Sequence, residues 1–503
     1  MQKEIKRIEK QRIYFESLLE QLNKTQDTEK KLEFACAAAT YATYCHTGYY
    51  YSKILEKFFC DYAKSLSSIQ KEVNVKQNSF LHVLTAAYKY GGHTRVVEKW
   101  IEQSPENQLH SVIIVDQPQE PLPQKLETAV KDKAGELILL DSDKTLKDKA
   151  LELRKIASGY QYIVLHIHMD DPTALIAFGT EEFHRPVIMF NHADHMFWLG
   201  VSVADQLANL REIQNKITNE KRCIEHSYCL CVPIETNINK TRDKSESKRK
   251  LGLDEHKKLI LSVGGTHKYK PIGEKSFANI LYKITEQNPD AEVILIGPEQ
   301  KEKQWKKAYI NSNGKIRAIG NVNYNEGYFD YLNAADIILD SWPMSGGTVM
   351  LDAITCNRPV LTLQNPIGQF DYIVKSKAFC QDEKELCEKA KNILYNEEAE
   401  NELLTELKKN LEEDHSPKNW KKKLEKFIEI TPKTHQLKDF SNETENKDID
   451  DAAIVLNYIY NKNFMKNSLF KRAVSYLKYL FYKYINKKPN MAMKYLKKYH
   501  LTY

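Results

Sequence analysis

The sequence predicts an α/β protein of two similar halves, preceded by an all-α cap and followed by a basic helical tail. Three observations carry this. Short apolar runs at 111–115, 162–166, 259–263, 291–296 and 337–340 alternate with helix-length amphipathic stretches, the pattern of parallel strands covered by helices. Several runs end in Gly, His, Asn or Asp, and ligands of open α/β sheets bind at the carboxyl ends of strands. Residues 236–250 are rich in Lys, Ser and Asn and part the two sets, so 236–256 reads as a linker.

A chain of 503 residues has room for two or three domains. With 42% hydrophobic and 28% charged residues it is ordinary for soluble protein. A net charge of +6 is too small to argue for nucleic acid by itself. Nine cysteines stand at 36, 45, 60, 223, 229, 231, 356, 380 and 387 without zinc-ribbon spacing, which implies reduced thiols and a cytoplasmic home. The charged start lacks a signal-peptide pattern, and no apolar run reaches membrane-span length.

Taken in order, residues 1–77 read as helices. Ile5, Ile8, Phe15, Leu18, Leu19 and Leu22 recur at helical spacing, and Tyr41, Tyr44, Tyr49, Tyr50 and Tyr51 read as inter-helix packing. The first α/β half spans 78–235. Strand 80–86 leads into Tyr90-Gly91-Gly92-His93-Thr94-Arg95, a helix start where Gly91 and Gly92 free backbone N–H groups beside His93 and Arg95. Strand 162–166 ends in His166, His168, Asp170 and Asp171. After strand 186–190 comes Asn191-His192-Ala193-Asp194-His195. Two imidazoles and a carboxylate could bind a metal, but His-x-Asp-His on a loop is no zinc signature. A base with its orienting carboxylate fits better, with His192 leading on position. Hydrogen-bonded loop histidines are the competing reading. Residues 201–217 read as an amphipathic helix, and 229–234 as a closing strand.

The second half, 257–430, starts with strand 259–263 and then Gly264-Gly265-Thr266-His267-Lys268-Tyr269-Lys270. A lysine there is a point charge for a phosphate. Further strands are read at 291–297 and 315–319, followed by Gly320-Asn321. The central stretch is Asp340-Ser-Trp-Pro-Met-Ser345-Gly346-Gly347-Thr348-Val-Met-Leu-Asp352, then Asn357-Arg-Pro-Val-Leu-Thr-Leu363. It reads as strand, turn, a helix from about 345 to 356, and strand. Glycines permit close backbone approach, hydroxyls donate, and a helix N-terminus favours an anion. Asp352, one turn on, could take ribose hydroxyls. Residues 431–451 read as a flexible connector. From Lys462 to Tyr503 there are eleven Lys/Arg and no Asp or Glu, and Phe470, Val474, Leu477, Phe481 and Tyr484 keep helical spacing. That pattern suits an anionic membrane surface or docking onto the body of the protein.

The stretch 340–363 resembles the donor site of GT-B glycosyltransferases, nearest the O-linked N-acetylglucosamine transferase-like and glycosyl transferases group 1 pattern. The resemblance covers roughly 79–430. It implies two Rossmann-like domains facing a cleft, a nucleotide-sugar co-substrate (UDP-sugar first), no bound cofactor and no metal. The implied acceptor is a glycan, a lipid-linked molecule or a protein, not nucleic acid. Lys270, in a Tyr-Lys context, with Gly264, Gly265 and the 345–348 turn, would face the diphosphate. Asn321 would lie against the base, and a histidine of the first half would deprotonate the acceptor if the reaction inverts. The pattern departs at Met344, where retaining families carry the first of two glutamates. A sugar-nucleotide epimerase of the same fold, or a non-catalytic scaffold, are the other functions this pattern admits.

Overall fold

The structure is a computed structural model and describes residues 2–66, 73–89, 92–234, 241–323, 326–440, 443–445, 447–464, 475, 477–485 and 491–496. The chain forms two compact units. One comprises Met1–Pro233 with Lys421–Tyr503, and the other Ile234–Trp420.

The first unit opens with helices α1 (Gln2–Lys24), α2 (Thr28–Tyr44) and α3 (Lys53–Ser65), the last two capped by Asp27 and Ser52. Its sheet strands are β1 (Lys76–Leu84), β2 (Leu109–Ile114), β3 (Leu137–Leu139), β4 (Tyr160–His166), β5 (Val187–Asn191), β6 (Gln206–Asn209) and β7 (Ser227–Cys229). All are parallel, in the order β3-β2-β1-β4-β5-β6-β7. Between them lie α4 (Gly92–Gln103), α5 (Gln124–Asp132), α6 (Leu146–Ala157), α7 (Thr173–Phe178) and α8 (Glu212–Arg222). Phe15, Leu18, Ala38 and Phe59 of the N-terminal helices share one core with Leu81, Ile163 and Leu175. The expected separate cap is therefore packed into this unit. Buried Glu56 on α3 accepts from Gly200 N, Ser202 N and Ser202 Oγ at 2.8, 2.8 and 2.5 Å, so a helix of the cap fixes the loop after β5.

The second unit contains α9 (Lys244–Lys250), β8 (Lys258–Val263), α10 (Phe277–Gln287), β9 (Ala291–Ile296), α11 (Lys303–Asn311), β10 (Ile316–Ala318) and α12 (Tyr328–Ala334). There follow β11 (Ile337–Leu339), α13 (Thr348–Thr355), β12 (Val360–Leu363), α14 (Asp371–Val374), β13 (Phe379–Cys380), α15 (Glu383–Tyr395) and α16 (Glu397–His415). Its parallel sheet runs β10-β9-β8-β11-β12-β13. Helix α17 (Pro417–Ile430) carries the chain back to the first unit, followed by α18 (Asp451–Phe464). Both sheets are α/β and parallel, and each reverses its strand order once, between β1 and β4 and between β8 and β11.

Four expectations are corrected. No helix spans 201–217, because residues 206–209 form β6 and α8 starts at Glu212. Gln206 and Asn209 are buried polar residues on that strand, and Asn191 Nδ2 donates to Asn209 Oδ1 at 2.8 Å, so the apolar–polar pattern did not mark a solvent face. The linker expected at 236–256 contains α9. Its Lys244 and Lys248 pair with Asp336 at 2.9 and 3.0 Å, and Arg242 and Lys250 pair with Asp330 at 2.6 Å each. Two buried aspartates thus seat what composition marked as linker; 235–240 lie outside the described residues. The described part of the connector expected at 431–451 is pinned down: His435 Nδ1 lies 2.8 Å from Asp205, and Lys438 N donates to Ser202 O at 2.9 Å. The helix expected from Ser345 starts at Thr348.

All nine cysteines are free, and eight are buried. No described helix is long and apolar enough to cross a membrane. In the described part of the tail, Tyr479 Oη and Lys483 Nζ bind Glu33 of α2 at 2.9 and 2.5 Å, while Leu477, Phe481 and Tyr484 stay exposed. Phe470 and Val474 lie outside the described residues.

Candidate active site

In the second unit the strand order reverses between β8 and β11, and open α/β sheets take ligands at the carboxyl ends of the strands beside such a reversal. Glycines let the backbone segments at these strand ends pack closely. A Cβ on Gly297, whose φ is +112°, would stand 2.1 Å from the Gly264 carbonyl oxygen. A Cβ on Gly346 would stand 3.1 Å from Val263 O and 3.2 Å from Asp340 Oδ1. The 345–348 turn, half-buried throughout, therefore lies directly against the end of β8.

Asp340 organises this turn. It is buried and accepts from Ser345 Oγ and Gly346 N, each at 2.6 Å, and from Thr362 Oγ1 at 3.0 Å. Gly347 N donates to Ser345 Oγ at 3.1 Å, and Gly347 adopts φ +63°. The turn's first N–H groups are thus used internally, which is why α13 starts only at Thr348. Met350 N donates to Gly347 O at 3.2 Å, so the donors left for an anion are those of Thr348 and Val349 at the start of α13.

A cation held against this turn is Lys268, two residues before the expected Lys270. Lys268 Nζ donates to the Ser345 carbonyl at 2.7 Å, and burial lowers its pKa against the opposing pull of Asp340. Residues Thr266–Tyr269 form a 3-10 turn that buries Tyr269, whose Oη lies 3.0 Å from Ser262 Oγ. With Tyr269 turned inward, Lys268 reaches Ser345 and half-buried Lys270 follows the turn. Gly264 lies against Ser341, and Gly265 and Asn321 are exposed. Asp352 is 4% exposed and accepts from Tyr328 Oη at 3.3 Å, so its carboxylate is largely enclosed.

In the first unit the reversal lies between β1 and β4, and His93, His166, His168 and His192 gather there. The rings of His93 and His192 are 4.2 Å apart between centroids. His166 is fully buried and lies behind His192, with His166 Nδ1 3.1 Å from His192 Nε2. Burial lowers the His93 pKa to about 4 and holds His166 and His192 well below the usual imidazole value. His168 stacks on Tyr88 and its N–H donates to Thr85 Oγ1 at 2.8 Å.

Asp194 does not orient His192. It is buried, binds Arg211 Nη2 at 2.5 Å and lies 2.8 Å from His195 Nδ1. Burial raises its carboxyl pKa, but Arg211 and His195 more than offset this and hold it below the usual range. Arg95 is half-buried and Gly92 exposed, while Gly91 lies outside the described residues. Among the described residues no group of three or more His, Cys, Asp or Glu is placed to hold a metal ion.

Residues 243–414 match the family model described as glycosyl transferases group 1. No curated protein matches the chain. Among solved structures, Anabaena HepE in complex with UDP and glucose superposes with TM-score 0.51 at 13% identity, covering 70% of this chain and 99% of that one. A mutant of the Thermobaculum terrenum O-GlcNAc transferase gives 0.51 at 13%, covering 79% and 76%. The lipopolysaccharide outer core galactosyltransferase WaaB gives 0.50 at 10%, covering 70% and 99%. Residues 243–414 thus resemble the glycosyl transferases group 1 model, and the chain has a GT-B fold.

Proposed function

We propose that the protein transfers a sugar from a UDP-sugar to a hydroxyl of a glycan, lipid-linked or protein acceptor. The supporting observation is the glycine-rich turn at the carboxyl ends of β8 and β11, with the Lys268 ammonium on the Ser345 carbonyl and the start of α13 directly after it. As the glycosidic bond breaks, negative charge grows on the departing diphosphate, and fixed donors in a half-buried site stabilise it without reorganising. Lys268, Thr348 and the first N–H groups of α13 are assigned this role, with Lys270 as the outer cation. Gly264, Gly265 and Asn321 are assigned to the nucleotide, and Asp352 to holding Tyr328 beneath the ribose. His192 of the first unit receives the acceptor proton, with His93 beside it. HepE, which shares the fold, was crystallised with UDP and with UDP-glucose, which favours uridine.

A thermal-shift panel of nucleoside diphosphates and their sugars tests the reading. UDP and UDP-sugars are expected to stabilise the fold by RT ln(1 + [L]/Kd), about 2.7 kcal/mol at a hundredfold excess over Kd, and so to raise the melting temperature with the logarithm of their concentration. Lys268→Ala should weaken this response about tenfold or more, and Lys270→Ala less. If no nucleotide shifts the wild type, the transferase reading fails.

Attachment to an anionic surface is assigned to residues 462–503 through exposed Leu477, Phe481 and Tyr484. The full chain should float with vesicles rich in anionic lipid, and a chain ending at 461 should not. Equal flotation of the two rejects this part.

A further inference from the structure

Four histidines climb the first sheet as a staircase. In the register of the parallel strands, His110 on β2 lies opposite Phe80 of β1, His82 stands two residues further along β1, and His166 of β4 lies opposite Leu84, two residues further again. His192 follows β5, where Leu165 pairs with Met189, and so continues the same step. Side chains two residues apart share a face, so the four rings line up diagonally across four neighbouring strands. They are hydrogen-bonded end to end: His110 Nδ1 to His82 Nε2 at 2.9 Å, His82 Nδ1 to His166 Nε2 at 3.1 Å, and His166 Nδ1 to His192 Nε2 at 3.1 Å. The lower end closes on half-buried Gln108, whose Oε1 lies 3.3 Å from His110 Nε2.

Every link joins an Nε2 to the next ring's Nδ1, so the chain has a polarity. Burial holds all four imidazoles well below their ordinary pKa, so each is neutral and carries one proton. A neutral imidazole donates from one nitrogen and accepts at the other. The Gln108 carbonyl oxygen can only accept, so His110 must donate from Nε2 and accept at Nδ1. The same requirement passes to His82, to His166 and then to His192. His192 therefore bears its proton on Nε2 and is left with a bare Nδ1, which makes no hydrogen bond among the described residues. His110, His82 and His166 are fully buried, and His192 alone of the four is half-exposed.

We propose that Gln108 is a positioning residue that fixes the tautomer of His192 through the three intervening imidazoles, keeping His192 Nδ1 a proton acceptor toward the site. This rests on the reading of His192 as the group that takes the acceptor's proton, but the tautomer can be measured apart from it. Reversing the amide's hydrogen-bonding sense would reverse every ring and turn His192 Nδ1 into a donor.

The test uses the full chain labelled with 15N-histidine, with the two ring nitrogens distinguished by their shifts and His192 identified by its loss in His192→Gln. Wild type and Gln108→Glu, which keeps an acceptor, should show the proton on Nε2 of His192. Gln108→Lys, a donor only, should move it to Nδ1 and lower kcat about 10- to 100-fold with KM little changed. Gln108→Leu, which imposes neither sense, should show both tautomers. A proton on His192 Nδ1 in the wild type, or a wild-type tautomer in folded Gln108→Lys or Gln108→Leu, overturns the proposal. An inverted tautomer with unchanged transfer would uphold it and instead remove His192 from the chemistry.

Discussion

Asp340→Ala will destabilise the second unit by about 3 kcal/mol and abolish its thermal response to UDP. The buried carboxylate accepts three hydrogen bonds, from Ser345 Oγ, Gly346 N and Thr362 Oγ1. Alanine leaves those donors without their acceptor in a buried or half-buried setting, and each unsatisfied buried group costs roughly 1–3 kcal/mol, less what relaxation and water recover. Burial pushes the Asp340 carboxyl pKa up, opposed by the same donors and by Lys268. Its protonated form would still accept, so asparagine should lie between wild type and alanine. Urea unfolding followed in parallel with UDP-dependent melting decides the matter. If the alanine variant is as stable as the wild type and answers UDP equally, the account of the turn is wrong.

His192→Ala will lower kcat about 10²- to 10⁴-fold, the range a positioned general base supplies, with KM near the wild-type value. His192 is held well below the ordinary imidazole pKa by burial first, then by His93 and His168. A depressed pKa keeps the ring neutral, and so able to accept a proton, through neutral and mildly acid pH. The wild-type kcat/KM should therefore be flat from pH 7 to well below 6.5 and fall only in stronger acid. An acid limb centred at or above 6.5 would falsify the assignment. His195→Ala should cost less, because its Nδ1 is committed to Asp194.

The two parallel sheets were legible because fully buried strands leave unbroken apolar runs and the turns after them collect Gly, His and Asp. The α13 turn was legible for the same reason. What escaped depended on partners far along the chain. β6 hides buried Gln206 and Asn209, which only their neighbouring strands satisfy. α9 looked like solvent-exposed linker because Asp330 and Asp336, which neutralise its lysines, come about 80–90 residues later. That Lys268 rests on the Ser345 carbonyl depends on the direction of Tyr269, which a 3-10 turn decides. His82 sits inside the 80–86 run and His110 just before the 111–115 run, and their diagonal appears only once the order β2-β1-β4-β5 is known.

The chain leaves its first unit at Pro233 and re-enters it at Lys421, where Phe427 packs on Trp100, His435 on Asp205 and Ala453 beside Ile8. During synthesis, then, the continuous second unit can close its contacts as soon as it emerges. The unit that begins first must keep an apolar seam uncovered until the last stretch arrives, and that seam is where a chaperone or a mispairing neighbour would find this protein while it is being made.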